Sequence, residues 1–258
     1  MIKISPSAIV STKATLGENV SVGHNSLIED DVVVGNDVEI ANNVTLNNGT
    51  RVANGCKLST GVCLSTIPHD LRHDNKYSIC EIGDNTIIRE YTTVSHGTQL
   101  TRKSSIGKNC FIMAYVHIPH DTTVGNGVII SNGVHTGGHV EIGDFANIGG
   151  IVGIHQFTRV GAYTFVAFHS RVTQDVPPYI MSGGWPAKFK GLNITGLQRN
   201  GFSKKQIDKI KEAYDLIYNS KYNFGDAVKA VEENVEQTNE VKNIIEFIKT
   251  SERGIIRK

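Results

Sequence analysis

Residues 15–62 read TLGENV, SVGHNS, LIEDDV, VVGNDV, EIANNV, TLNNGT, RVANGC and KLSTGV, eight blocks of six with an aliphatic residue second in every block. The same step continues in both directions. From Ile4 to Val172, 26 of the 29 positions reached in sixes are Ile, Leu or Val, in a chain that is only 39% hydrophobic. The three exceptions are Asp70, Lys76 and Thr136. The residue after the aliphatic is often glycine, as at Gly17, Gly35, Gly107, Gly143 and Gly161, and the sixth residue is small or β-branched. A fixed period of six is the signature of a hexapeptide parallel β-helix, in which each block is one short strand and a turn. Three blocks close a coil of about eighteen residues, and coils stack at the inter-strand spacing of ~4.8 Å. A sandwich of alternating strands would give a period of two broken by irregular turns instead.

The exceptions locate departures from the coil. A charged Asp70 or Lys76 cannot point into an aliphatic prism without a partner, so residues 66–79 are expected to leave it as an excursion, and excursions from rigid scaffolds commonly carry function. Residues 99–105, QLTRKSS, read as a weaker block or a short basic loop. The coil is expected to span residues 1–180, ending after Pro177-Pro178, because proline removes ladder donors. Residues 181–202 read as a linker. Residues 203–258 read as a helical domain: Ser203 and Gln206 form a capping box, and Ile207, Ile210, Tyr214, Ile217 and Tyr218 share one helical face. Further helices are expected from about Asp226 to Glu236 and from about Glu240 to Ser251, with Gly254 as a stop.

Net charge is +1, from 26 basic and 25 acidic residues, which argues against nucleic acid or an anionic membrane as partner. No apolar run approaches the ~20 residues of a membrane span, and Met1-Ile-Lys-Ile-Ser-Pro lacks a signal core, so the cytoplasm is the expected location. Cys56, Cys63, Cys80 and Cys110 show no C-x-x-C spacing and are expected to be reduced.

Five of the ten histidines fall between positions 117 and 155, in the segments HIPHD (117–121), TGGH (136–139) and HQF (155–157). Adding eighteen to each position stacks His120 on Gly138 on Gln156, Asp121 on His139 on Phe157, and His117 on His135. Two chemistries fit. In one, His117, His120, His135 and His139 offer imidazoles to a metal ion. In the other, a neutral His120 steadied by Asp121 takes a proton from a hydroxyl, while the Gly138 N–H meets a developing oxyanion.

The segments IPHDTTVG, GGHVEIGD, IHQF, QDVPPY and GLNITGLQRNGFS, in this order, resemble the acyl-carrier-protein-dependent UDP-N-acetylglucosamine O-acyltransferase family, which opens lipid A synthesis. The resemblance covers essentially the whole chain. It implies a mainly β fold, a left-handed parallel β-helix with a C-terminal α-helical domain, assembled as a homotrimer with sites in the clefts between neighbouring solenoids. It implies transfer of a 3-hydroxyacyl chain from acyl carrier protein to the sugar 3-hydroxyl, with His120 as base, Asp121 in support and Gly138 at the oxyanion. Asp70, Arg72, His117, His139, His155 and Gln156 would serve the substrate, Asn193 and Arg199 the nucleotide. No metal and no cofactor are implied beyond the carrier's phosphopantetheine thioester. Phe168 falls where the family's acyl groove ends, and a ring there implies a shortened chain. The chain departs from the family pattern at Arg72, at Ser95-His96 and at Asn200, which leaves open an acceptor sugar with a 3-amino group. A metal-dependent hydratase of the gamma carbonic anhydrase type, built on the same solenoid, is the alternative.

Overall fold

The computed structural model of the chain describes every residue except Asn75, Ser220 and Lys221. Strands of mostly two residues recur along the first 172 residues and pair in parallel with the strand one coil later, as Lys3-Ile4 do with Ser21-Val22. They build three faces. The first begins at Lys3–Ile4 and has eleven strands, the second begins at Ile9–Val10 and has nine, and the third begins at Thr15–Leu16 and has eight. Each two-residue strand turns its first side chain outward and its second inward, so Glu39 is exposed and Ile40 buried. The inward column of Ile, Leu and Val, joined by the sixth residues Val20, Val32, Val38, Val44 and Val62, forms one continuous core along the prism. Each such aliphatic contributes roughly 1.5–3 kcal/mol by leaving water.

The corners need left-handed backbone. In the early coils Asn19, Asn25, Asp37 and Asn43 supply it, at φ of 55–57°, as suits a short polar side chain that bonds locally. Later coils put large residues there instead: Phe145, Ile151, Phe157 and Tyr163, at φ of 54–60°. The strain at a β-branched residue such as Ile151 is of order 1–2 kcal/mol. What these positions gain is stacking between coils: Phe145 lies 5.0 Å from Tyr163, and His139 4.4 Å from Phe157.

The register shows two interruptions. Leu64 pairs with Val94, thirty residues on, and Val94 with Ile118, twenty-four on, where an unbroken coil takes eighteen. The chain leaves the coil after Thr66 and returns at Ile79, an excursion that holds Asp70 and Lys76. It leaves again after Ser95 and returns at Lys103. Leu100, on the beat in sequence, lies in this second excursion and is 68% exposed. Thr136, off the beat chemically, keeps its inward place and is buried opposite Ile154.

The stretch 181–202 is not a linker. Ile180–Gly184 and Ala187–Leu192 form an antiparallel hairpin that extends the first face beyond Phe165–Val166. It is followed by helix α1 (Ile194–Arg199), capped by Asn193. The rest is helical: α2 (Lys204–Asn219), α3 (Phe224–Asn234) and α4 (Asn239–Lys249). At the start of α2 the Gln206 N–H donates to Ser203 Oγ while the Ser203 N–H donates to Gln206 Oε1, the reciprocal capping box. The bundle is tied to the prism by Tyr214, whose hydroxyl donates to the Pro178 carbonyl at 2.7 Å. Gly254 does not end the chain's structured course. The Asp175 N–H donates to the Gly254 carbonyl and the Ile256 N–H to the Asp175 carbonyl, so buried Ile255 and Ile256 close the open end of the coil.

The two kinds of beat position separate in a stability measurement. Ile118→Ala is expected to lower the unfolding free energy by about 2–5 kcal/mol, and Leu100→Ala to change it by about 0.5 kcal/mol or less, as read by denaturant titration. Similar losses at both positions would place Leu100 inside the prism.

Candidate functional site

The corner between the second and third faces holds the histidine segments. On the second face His117 and His135 are register partners, and the chain then turns through Pro119-His120-Asp121 and, one coil later, through Gly137-Gly138-His139. The ladder bonds hold these turns in line: the His139 N–H donates to the His120 carbonyl, and the Phe157 N–H to the Gly138 carbonyl. His120 lies flat against Gly138. A Cβ on Gly138 would come within 2.4 Å of His120 Cε1 and 2.7 Å of Nε2, so no other residue leaves room for the ring. The N–H groups of Gly137 and His139 on either side are bonded to carbonyls. Among the described residues the Gly138 N–H has no acceptor.

Asp121 is the electrostatic centre. Its side chain is fully buried, yet its carboxylate is held below the ordinary range. Burial pushes the other way, and is outweighed by donors from Thr101, Thr98 and His120 together. Oδ1 accepts the Thr98 N–H at 3.0 Å and the Thr101 hydroxyl. Oδ2 accepts the Thr98 hydroxyl at 2.6 Å and lies 2.7 Å from His120 Nδ1. A carboxylate has about four lone-pair sites, and four donors use them. An ionised Asp121 therefore accepts a hydrogen bond from the His120 Nδ1–H, which holds that proton on Nδ1 and leaves Nε2 as the basic atom. The His139 ring stands edge-on to His120 at 5.1 Å, with Nε2 3.6 Å from Asp121 Oδ2.

His120, Asp121 and His139 bring potential metal-ligand atoms within 4.8 Å of one another. The donor set fits a metal poorly, since Asp121 has no lone pair left and His120 Nδ1 is committed to it. His117 and His135 stand in a separate column, and His117 Nδ1 is 2.7 Å from Thr93 Oγ1.

The first excursion folds back on this corner. His69 stacks on His117 at 5.1 Å, and His73 packs on His96 at the same distance. Asp70 is paired with Arg72 at 2.9 Å and held far below the usual carboxylate range, chiefly by that pair, with His120 close enough to contribute. The His117 imidazole is pushed down to about 4, first by burial and then by His69, His135 and His120. His139 and His96 are also lowered, burial being the main cause in both. Next to the corner a cleft of about 520 Å³ is lined by Thr101, Asp121, His139, Phe157, Arg159 and Thr250. His155 and Gln156 lie exposed one coil beyond Gly138.

Three expected site residues lie elsewhere on the chain. Asn193 and Arg199 line a cleft of about 400 Å³ beside the first face, with Phe145, Phe165 and Met181. The Asn193 side chain caps α1 through Gly196 and donates to the Tyr163 carbonyl, so much of its hydrogen-bonding capacity is structural. Phe168 is 67% exposed at the corner between the first and second faces, its ring over Gly150. Sequence reading missed Thr98 and Thr101, and also Ser104, whose hydroxyl accepts the Asp121 N–H at 2.8 Å. The polar QLTRKSS segment was a signal for Thr101 and Ser104, and nothing singled out Thr98.

The chain as a whole is similar to known proteins. A family model described as UDP-N-acetylglucosamine O-acyltransferase, domain 2, matches residues 175–256. The bacterial transferase hexapeptide model matches residues 13–48 and 103–138. The acyl-[acyl-carrier-protein]–UDP-N-acetylglucosamine O-acyltransferase of Burkholderia lata is 37% identical over 195 residues, 74% of either chain. The crystal structure of the UDP-N-acetylglucosamine acyltransferase of Bacteroides fragilis superposes with a TM-score of 0.96 at 40% identity, covering 98% of this chain and 99% of that one. The Francisella novicida UDP-N-acetylglucosamine acyltransferase gives 0.96 at 33% identity, covering 99% and 94%.

The lowered His117 has a consequence for stability. Its ordinary value of 6.5 applies to the unfolded chain and about 4 to the folded one. Between those values the unfolded state binds more protons, so stability falls as pH drops through this window and levels off below it. His117→Asn is expected to flatten the pH dependence of the unfolding free energy in that interval. An unchanged slope would contradict a neutral, buried His117.

Proposed function

The chain belongs to the acyl-carrier-protein-dependent UDP-N-acetylglucosamine O-acyltransferases, so it transfers an acyl chain from acyl carrier protein to UDP-N-acetylglucosamine, the opening step of lipid A synthesis, and we propose that it does so at the His120 corner. The observation that carries this reading is His120 lying between the saturated carboxylate of Asp121 and the free N–H of Gly138. His120 Nε2 takes the proton of the sugar 3-hydroxyl as that oxygen attacks the thioester carbonyl. The carbonyl oxygen gains charge and is met by the Gly138 N–H. The tetrahedral intermediate then collapses, the carbon–sulfur bond breaks, and the departing thiolate of phosphopantetheine takes the proton back from Nε2. Asp121 keeps Nδ1 protonated throughout and stabilises the transient imidazolium. No cofactor enters this sequence. Asp70, Arg72, His117, His139, His155 and Gln156 surround the corner and are assigned to the sugar and its phosphates.

The same reading calls for a homotrimer. The outward residues of the first face are mostly apolar in the later coils: Ile87, Phe111, Ile129, Phe165 and Met181, with Asn147 the polar exception. So is the corner between the first and second faces, with Tyr91, Tyr115, Ile151 and Phe168 exposed. The third face instead shows Arg51, Glu81, Glu141 and Arg159. Seating the first face of one copy on the second face of the next covers the apolar surface and leaves the charged face in water. It also brings Asn193, Arg199 and Phe168 of one copy toward the His120 corner of its neighbour, which a single chain does not do. Asn193 and Arg199 then hold the nucleotide, and Phe168 limits the 3-hydroxyacyl chain. Among the described residues no helix is long and apolar enough to cross a membrane, and the reading places the enzyme with its carrier and nucleotide sugar in the cytoplasm.

His120→Ala is expected to reduce acyl transfer by roughly 10²–10⁴-fold while leaving the melting temperature nearly unchanged. The assay offers a mixed pool of acyl carrier proteins and identifies the product by mass spectrometry. Retained activity would remove His120 as the base. In the same assay Phe168→Gly is expected to shift the product toward longer chains, and an unchanged profile rejects its role. Sedimentation should give three times the 28.1 kDa chain, and Ile129→Lys should lower that mass and the activity together.

A further inference from the structure

The second excursion is left without a role by the reaction above. Residues 96–102 lie outside the prism, yet two of them, Thr98 and Thr101, put three hydrogen bonds on one carboxylate: the Thr98 N–H and hydroxyl and the Thr101 hydroxyl all donate to Asp121. The excursion is itself fastened, since Arg102 pairs with Asp74 at 2.5 Å and so joins the two excursions. Thr98 is buried; its amide donates to Asp121 Oδ1, and its hydroxyl donates to Oδ2, the same oxygen that His120 Nδ1 contacts.

We propose that Thr98 and Thr101 are positioning residues that act through Asp121, holding its carboxylate ionised and limiting how basic it makes His120. This rests on the acyl-transfer reading of the corner. The physical argument has two parts. Hydrogen bonds to an ionised carboxylate favour that form, so the threonines offset the burial that would otherwise protonate Asp121. The same bonds spread its negative charge over four donors rather than one. Less charge is then concentrated on the single contact to His120 Nδ1, and the imidazolium gains less from it. A base must be neutral at the working pH to accept a proton, so an undamped Asp121 would leave more of His120 protonated and idle.

The sign of the effect is fixed. With one threonine hydroxyl removed, three of the four donors remain and Asp121 stays ionised. More of its charge falls on the His120 contact, which strengthens its hold on the protonated imidazole and raises the pH at which His120 titrates. The acid limb of kcat/KM then moves to higher pH. The other charged groups near the pair stay in place in such variants. Asp70 and Arg72 approach from the first excursion, and His117 and His139 from the coil. His96 and Arg102 face Asp121 from the excursion itself.

The test is an NMR titration of the His120 ring in the full-length protein, assigned by its loss in His120→Asn, with Thr101→Val and Thr98→Val beside Thr101→Ser and Thr98→Ser. Each valine is expected to move the His120 midpoint to higher pH, the acid limb of kcat/KM is expected to follow, and each serine to restore both. Two valine variants keep the test open if one fails to fold. A valine variant that folds and leaves the His120 midpoint in place, or lowers it, overturns the proposal. The titration is read without substrate, so it decides on the threonines even if the wild-type protein transfers no acyl group, an outcome that would count against the proposed function instead.

Discussion

The inward aliphatic column is the constraint from which the rest of the structure follows. A coil rises by one strand spacing, ~4.8 Å, and its core residues meet only their own copies above and below. The register is therefore kept to the residue, because a slip of one would turn a buried aliphatic out and a polar neighbour in. A scaffold this strict fixes every corner position relative to the same position in the next coil. That is why His120 can lie against a glycine, and why a single Cβ at Gly138 would displace it.

The electrostatics of the corner depend on that rigidity. A carboxylate buried like Asp121 stays ionised only where donors are delivered to it without much rearrangement. They come from two places, the adjacent His120 and the second excursion with Thr98 and Thr101, while the Ser104 hydroxyl accepts the Asp121 N–H and holds its backbone. The first excursion brings Asp70 and Arg72 toward the same point, its own histidines packed against His117 and His96. The coil thus supplies His120 and the Gly138 amide, and the two interruptions supply the charged and polar groups around them.

Much of this was legible in the sequence, and the gaps have physical causes. The beat of six identified the coil, and the eighteen-residue step stacked His120 on Gly138, because above Ile106 the register runs unbroken. Below it the two excursions add twelve and six residues, the differences between registers of thirty, twenty-four and eighteen. Both are multiples of six, so the beat passes through them without changing phase. Asp70 and Lys76 betray the longer one by their charge. Leu100 hides the shorter one, and with it Thr98 and Thr101. The hairpin at Ile180–Leu192 was missed because Gly183-Gly184 and Pro186 read as a linker, whereas they form the turn of a strand pair that caps the first face. The placement of Asn193, Arg199 and Phe168 away from His120 was not legible at all, since it depends on which face or corner each residue occupies.

The central claim is that one corner of a rigid prism binds the acceptor sugar with its 3-hydroxyl on His120. The most direct measurement is a crystal structure with UDP-N-acetylglucosamine bound. The account predicts the sugar 3-oxygen at about 2.6–3.2 Å from His120 Nε2, with the nucleotide reaching Asn193 and Arg199 of a neighbouring copy. A sugar bound with that oxygen out of reach of His120, or a site completed within a single chain, would contradict it.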